Sequence, residues 1–466
     1  MNAPLLVLGL SLIASVALAG LHDRQRTASI VAGAGAGLIG ALVLLGPIDV
    51  ALSIGGFGVK LDTTYQLLGR SLVLDGSNRS AVGFLFLSAA FILGGGWAAR
   101  PNRYLFSAGM AGVAMLSASL MVRPFLFAAV FLEAAALAFV LVLADPRRPA
   151  LVGSQRLFIF FTFSMMAILM AGWMLDVSGV TGSAPASVVP ISGLLGLGFA
   201  VLLVVPPFHL WLPPAADRTD AYSIGFVVVM LYAAGFFFML RFFNAFEWLR
   251  AAPVVQETIR LAGVAMISVG TLWAVFERRF VRMAVYLVLA DLGASLLVVG
   301  SGRPEGYSLG LTVLGARTIG LALFGLGASI LRRADSEGET VDLYGTAFTN
   351  PLPVAACLVG LLAIVGAPLT AGFPGRWGSL QLMAGIDPNA VLAILGGSSL
   401  GTLVVLRWLW RSLSQADRAP VTIGLNQPER AFLLLGILLV VLLGFFPQLL
   451  YPWVVQSLSG LTNLTG

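Results

Sequence analysis

Charge is what this chain has least of. Only 10% of its 466 residues are Asp, Glu, Lys or Arg, against about a quarter in soluble domains. That excludes a soluble globular protein, which needs a charged surface of ordinary extent. Lysine is almost missing: Lys60 stands alone, and the remaining basic residues are arginines. Cysteine occurs once, as Cys357, which excludes a disulfide framework within the chain and any thiolate-held iron–sulfur cluster. Two histidines, His22 and His209, are too few for a histidine metal site. Nucleotide loops and flavin motifs are absent; a net charge of +6 is small for this length, says little about nucleic acid, and no nucleic-acid partner is expected. The alternating pattern of an outer-membrane barrel is not found either.

What fills the sequence is apolar: 59% hydrophobic residues and a mean hydropathy of +0.97. The expected fold is an all-α polytopic membrane protein. Fourteen runs reach spanning length, near 3–20, 28–46, 80–99, 104–121, 124–144, 156–176, 190–213, 222–243, 257–276, 281–300, 307–331, 352–384, 388–408 and 430–448. The first ends in ALAG like a secretory signal, but no basic residue precedes it, which argues for a retained span. Ala32 to Gly37 reads AGAGAG, a face of small residues that permits close helix approach. Residues 48–78, with Lys60, Asp62, Arg70 and Asp75, read as an extramembrane connector, and the last dozen residues as an uncharged tail.

Loop charges set the expected orientation. Loops after odd-numbered runs hold sixteen Lys and Arg, including Arg147, Arg148 and Arg418, and those after even-numbered runs hold seven. The positive-inside rule then puts the odd loops on the cytoplasmic side and both termini on the other, in a bacterial inner membrane or an equivalent energy-converting one.

Two runs are interrupted. The seventh passes into Pro206-Pro207, with His209 just beyond, and the twelfth contains Pro368, Gly372 and Pro374. Proline removes a backbone donor and crowds the preceding turn. A broken helix at membrane depth survives only where protein or a wet cavity satisfies the freed groups. A mid-membrane carboxylate precedes each break at similar range: Glu133 lies 74 residues before Pro207, and Asp291 lies 77 before Pro368. Runs 4–8 and 9–13 thus form two five-helix units, and the odd number makes the second inverted relative to the first, an ion-coupled transport architecture. The implied divisions are 1–103, 104–250, 251–412 and 413–466.

Several stretches then resemble one family. VPPFHLWLP (Val205 to Pro213), LDGSNRS, VFLEAAAL around Glu133, AAGFFFMLRF, the segment from Val269 to Gly293, and LLAIVGAPLTAGFPGRWGSLQ are similar, in order, to motifs of the antiporter-like membrane subunits of complex I and of Mrp-type antiporters, most of all the short N type. The resemblance implies a subunit that couples quinone reduction to proton movement. It implies partners among other membrane subunits, with quinone and redox centres on those partners and none in this chain.

That family is thought to move protons along a glutamate and several lysines. Here the glutamate is kept as Glu133. The lysine positions are taken by Leu202, Ala233 and Val281, and by Arg376 at the second break; Asp291 replaces a histidine. A buried lysine can release its proton, whereas arginine effectively cannot. The resemblance therefore implies a degenerate relay. Glu133, His209, Asp291, Arg376 and Arg317 are the candidates for proton translocation, and Arg317 is also the natural partner of Asp291. Glu133 is either an ion-coupling group or one half of a structural pair. His209 reads as a relay or as a residue closing the break, and Arg241 and Arg407 as snorkelling or interface residues near helix ends. Two rival readings stand beside coupling: a non-conducting scaffold of the same kind of complex, and an Mrp-type cation/proton antiporter.

Overall fold

A computed structural model describes residues 2–48, 52–54, 57–67, 69–144, 152–177, 188–334, 344–414 and 421–465. Arg147, Arg148 and Arg418 of the loop count lie outside these. The chain opens with α1 (Ala3–Gly20) and α2 (Gln25–Leu45). Five short strands follow around the next two helices: β1 (Leu52–Ile54), β2 (Phe57–Val59), β3 (Thr64–Leu67) and β4 (Arg70–Val73), then α3 (Arg79–Ala99), α4 (Leu105–Met121) and β5 (Val122–Arg123). Next come α5 (Ala128–Leu143), α6 (Val152–Val177), α7 (Val188–Leu202), α8 (Leu212–Arg218), α9 (Ala221–Ala245) and α10 (Glu247–Ala251). The second half holds α11 (Pro253–Phe276), α12 (Phe280–Val299), α13 (Pro304–Leu331), α14 (Thr346–Thr349), α15 (Pro351–Val365), α16 (Phe373–Ala384), α17 (Pro388–Leu413) and α18 (Gln427–Phe445). Two short helices, α19 (Tyr451–Ser459) and α20 (Thr462–Thr465), end the chain.

Among the described residues, eleven helices are apolar and long enough to cross a membrane, and Leu105–Met121, Val189–Leu202 and Pro351–Val365 are shorter apolar helices. Helix α9 is the axis of the bundle. Every residue from Ala221 to Phe243 is buried, so it touches protein on all sides and carries no lipid-facing stripe. Asp220 starts it by accepting from the Ser223 backbone N–H at 2.8 Å, a side-chain N-cap. The outer helices are one-sided: α1 leaves Ile13 and Val16 exposed, and α17 leaves Leu392 and Leu403, as lipid contact requires. Helices α2 and α3 meet backbone to backbone. A methyl group on Gly33 would lie 2.6 Å from the Gly94 Cα, so the AGAGAG face works at one of its glycines.

Two stretches carry more local structure than their sequence reading specified. Within the connector at 48–78, β3 and β4 form an antiparallel hairpin, Thr64 opposite Val73, and β5 extends it through Leu72 and Val122. Turn chemistry at Gly69, with φ +72°, closes that hairpin, and its short strands gave too little alternation to read. The closing tail is helical and packed: Trp453 of α19 stacks on Phe84 with ring centroids 4.8 Å apart, because its apolar residues meet the bundle rather than water.

Arg79 ties this region down. Its guanidinium donates to the carbonyls of Val43 at 2.6 Å, Leu44 at 3.0 Å and Gly46 at 2.7 Å, the groups that the end of α2 leaves without helical partners. Arg79→Ala leaves the Val43 and Leu44 carbonyls without this donor, while Gly46 keeps the Ile48 N–H at 2.9 Å. With charged hydrogen bonds worth about 1.5–3 kcal/mol each when buried and less at a wet helix end, the expected loss is about 2–3 kcal/mol. A clear fall in apparent melting temperature in detergent checks it; an unchanged one would show that water replaces the guanidinium at no cost.

Candidate functional site

Both proline-rich breaks are real interruptions. After α7, Leu203 to Pro207 leave the helix, a short 3-10 turn covers Phe208–Trp211, and α8 resumes. After α15, Gly366 and Leu369 take left-handed conformations, with φ of +75° and +67°, before α16 begins. Backbone groups close each gap themselves: Val205 N–H bonds to the Ala200 carbonyl at 2.8 Å, and Ala367 N–H to the Leu362 carbonyl at 2.9 Å. His209 is buried, and its Nδ1 has no hydrogen-bond partner among the described residues, so that nitrogen satisfies none of the backbone groups freed at the first break.

At the second break three charged side chains meet. Asp291, near the middle of α12, is 4% exposed. One carboxylate oxygen accepts from Arg317 Nε of α13 at 2.6 Å and the other from Arg376 Nη2 of α16 at 2.8 Å. Arg317 also donates to the Ser295 hydroxyl at 2.6 Å, and its guanidinium lies 4.7 Å from the ring centre of Tyr232 on α9. Arg376 further donates to the Ile364 carbonyl at 3.2 Å, where a cation also favours the C-terminal end of α15. The cluster is one carboxylate between two guanidiniums, and its formal charge is +1. Beside it a cavity of about 10 Å³, bordered by Thr271 and Ser398, has room for about one water centre.

Gly372 makes this geometry possible. A Cβ there would sit 1.9 Å from the Ala363 carbonyl oxygen, so only glycine lets the start of α16 fold back on the end of α15 and bring Arg376 to Asp291.

Glu133 stands apart on α5. It is half-buried on the outer side of the bundle, in line with exposed Val130 and Leu137. The Thr162 hydroxyl of α6 donates to one oxygen at 2.7 Å, and the other oxygen has no partner. Among the described residues no basic group pairs with it, so a structural ion pair for Glu133 is not what the structure holds. Between Glu133 and the Asp291 cluster runs α9, packed against both α5 and α13. On that path Leu202 is 1% and Ala233 0% exposed, and Leu202 packs on Gly235. Val281 is half-buried at the start of α12.

Of the charges near helix ends, Arg241 does not snorkel: it is 4% exposed. Arg407 donates to the Val275 carbonyl at 2.5 Å, at the end of α11. The loop arginines also pair: Arg279 with Asp217 at 2.9 Å, and Arg333 with buried Glu429 at 2.8 Å. Glu429 went unnoticed in the sequence because it sits in the first turn of α18, where Asn426-to-Glu429 spacing signals a helix cap; the Asn426 N–H does bond to it, at 3.0 Å.

Residues 125–401 match the model of the family described as NADH:quinone oxidoreductase/Mrp antiporter, TM. The chain belongs to that family. One relative in it is the NADH-quinone oxidoreductase subunit N 2 of Roseiflexus castenholzii, 26% identical over 55% of this chain and 53% of its own length. The chain thus spans about half the length of the curated relative it matches. The fold is shared with a chain of respiratory complex I from Thermus thermophilus, at a TM-score of 0.77 and 21% identity over 99% of this chain and all of that one. It is shared equally with a chain of the Mrp complex from a Dietzia species, at a TM-score of 0.79 and 18% identity, covering 99% of this chain and 97% of that one. With eleven helices among the described residues long and apolar enough to cross a membrane, the chain is a multi-pass integral membrane protein. Among the described residues no group of His, Cys, Asp and Glu is placed to hold a metal.

Proposed function

We propose that this chain is an antiporter-like membrane-arm subunit of a complex I-like quinone oxidoreductase, with redox centres on its partners, and that its own mid-membrane line no longer relays protons. The observation that carries this reading is the Asp291 cluster. A relay needs groups that release and rebind protons, and arginine keeps its proton. Both carboxylate oxygens of Asp291 are engaged by guanidiniums, and a fixed charge of +1 works against an incoming proton. Toward Glu133, the lysine positions are filled by Leu202 and Ala233, both buried in apolar packing, and apolar spaces stay dry.

The three short apolar helices bring the spans to fourteen in this reading. Residues 104–250 and 251–412 form two inverted units around the matched breaks, and both termini face the non-cytoplasmic side. The likeness to the Dietzia chain favours a second reading, an Mrp-type antiporter subunit, which the missing lysines oppose. Co-purification in mild detergent separates them by the presence or absence of quinone-reducing partners.

Glu133→Gln tests the non-relay reading. Gln keeps an acceptor for Thr162, and no cation is left unbalanced, so complex yield should change less than twofold. Protons moved per electron in reconstituted vesicles should stay at the wild-type value. A normal yield with a clearly lowered proton ratio would make Glu133 a working relay and overturn the proposal.

A further inference from the structure

Where α9 ends, a cavity of about 380 Å³ lies among Asp75, Ser77, Arg123, Arg241, Asn244 and Leu461. Four distant segments build it. The hairpin side brings Asp75 and Ser77, the start of the α5 region brings Arg123 and Phe125, α9 brings Arg241 and Asn244, and the chain's end supplies Gly460 and Leu461. The last wall is pinned: the Asn463 backbone N–H donates to Asn244 Oδ1 at 3.0 Å and its side-chain amide to the Asn244 carbonyl at 2.8 Å.

The charges in this cavity do not balance. Arg241 is 4% exposed, and neither Nη1 nor Nη2 has a hydrogen-bond partner. Phe125 covers one face of its guanidinium, at 4.8 Å from the ring centre, but a ring face does not satisfy the N–H edges. The nearby carboxylate is already committed. Asp75 Oδ2 accepts from Arg123 at 2.6 Å, and Oδ1 accepts from the Ser77 N–H at 3.0 Å and hydroxyl at 2.5 Å. Two arginines and one aspartate leave one positive charge without a counter-ion among the described residues, and of the two cations Arg241 is the one held out of bulk water.

The structure assigns this cavity to one oxyanion, and we propose that it is the phosphate of an anionic membrane lipid. A guanidinium fork matches phosphate oxygens in a bidentate way. Arg123, with 44% of its side chain exposed, stands at the open side as a second donor. The site lies at helix ends, where α3 and α5 begin and α9 finishes, the level at which headgroups sit, and its volume takes a phosphate with a glycerol.

The experiment uses the full chain, in its complex where one co-purifies, delipidated in a neutral detergent. Apparent melting temperature is followed on adding phosphatidylglycerol, phosphatidylcholine or inorganic phosphate. Phosphatidylglycerol should raise it in a saturable way, phosphatidylcholine should not, and Arg241→Gln should weaken the phosphatidylglycerol response at least tenfold in half-saturating concentration. Arg241→Lys, which keeps the charge without the fork, should weaken it less. Should Arg241→Gln fail to fold, Arg123→Gln on the rim serves, with a smaller weakening expected. A full response to inorganic phosphate alone, lost in the same variants, would overturn the lipid as occupant and leave a phosphate site. A phosphatidylglycerol response unchanged in both Arg241→Gln and Arg123→Gln would overturn the site.

Discussion

Asp291→Asn should remove most of the assembled protein. The substitution leaves the shape of the site nearly intact and strips the one negative charge from between Arg317 and Arg376, which are 2.6 and 2.8 Å away. Two buried guanidiniums then face each other with no anion. Breaking a buried pair by removing one partner costs about 3–5 kcal/mol, and marginal proteins carry only about 5–15. The arginines are not equivalent. Arg376→Met leaves a neutral Asp291–Arg317 pair and removes the surplus charge, so it should be tolerated far better than Asp291→Asn. Arg317→Met leaves Asp291 with Arg376, but it leaves Ser295 only its bond to the Asp291 carbonyl and takes the guanidinium from the face of Tyr232, so it should fall between them. Yield of folded protein extracted in mild detergent ranks the three. Equal yields for Asp291→Asn and wild type would mean that water, not the carboxylate, balances these cations.

The second large effect is expected at Gly372. Alanine there would place a methyl carbon 1.9 Å from the Ala363 carbonyl oxygen, well inside contact distance. The end of α15 and the start of α16 must part, and Arg376, in the first turn of α16, moves off Asp291 with them. Overpacking typically costs about 1–3 kcal/mol; with the ion pair lost as well, the total should approach that of Asp291→Asn. Gly385→Ala at the other end of α16, where the nearest atom would be 4.0 Å away, is the control and should be silent. A Gly372→Ala complex with normal yield and melting temperature would show that the break tolerates a wider hinge.

The long spans and both breaks were legible because their signals are local. An apolar run of twenty residues has one reading, and proline interrupts a helix wherever it stands. Arg317 was legible as the partner of Asp291 because both charges sit at similar depth in consecutive spans. What stayed hidden depends on residues far apart in the chain. Arg376 reaches Asp291 across 85 positions only because Gly372 turns the helix back. The exposure of Glu133 on the rim, and its lack of a cation, follow from which side of α5 meets α6 and α9. Arg241 resembled an interfacial arginine because its place near a helix end is visible in sequence, while Phe125 and the folded-back chain end that enclose it are not.

The arginine clamp also bears on how the chain enters the bilayer during synthesis. A charged residue at the centre of an inserting helix costs about 2.5–3.5 kcal/mol. Asp291 and Arg317 lie on successive helices joined by the short link from Gly300 to Arg303, so α12 and α13 can enter together as a hairpin with their charges already joined. Arg376 has no such companion on its own segment, and α16, at twelve residues, is too short to cross by itself. It can settle only onto a carboxylate that is already in place. The order in which the ribosome delivers Asp291, Arg317 and Arg376 is thus the order in which each charge finds its counterpart.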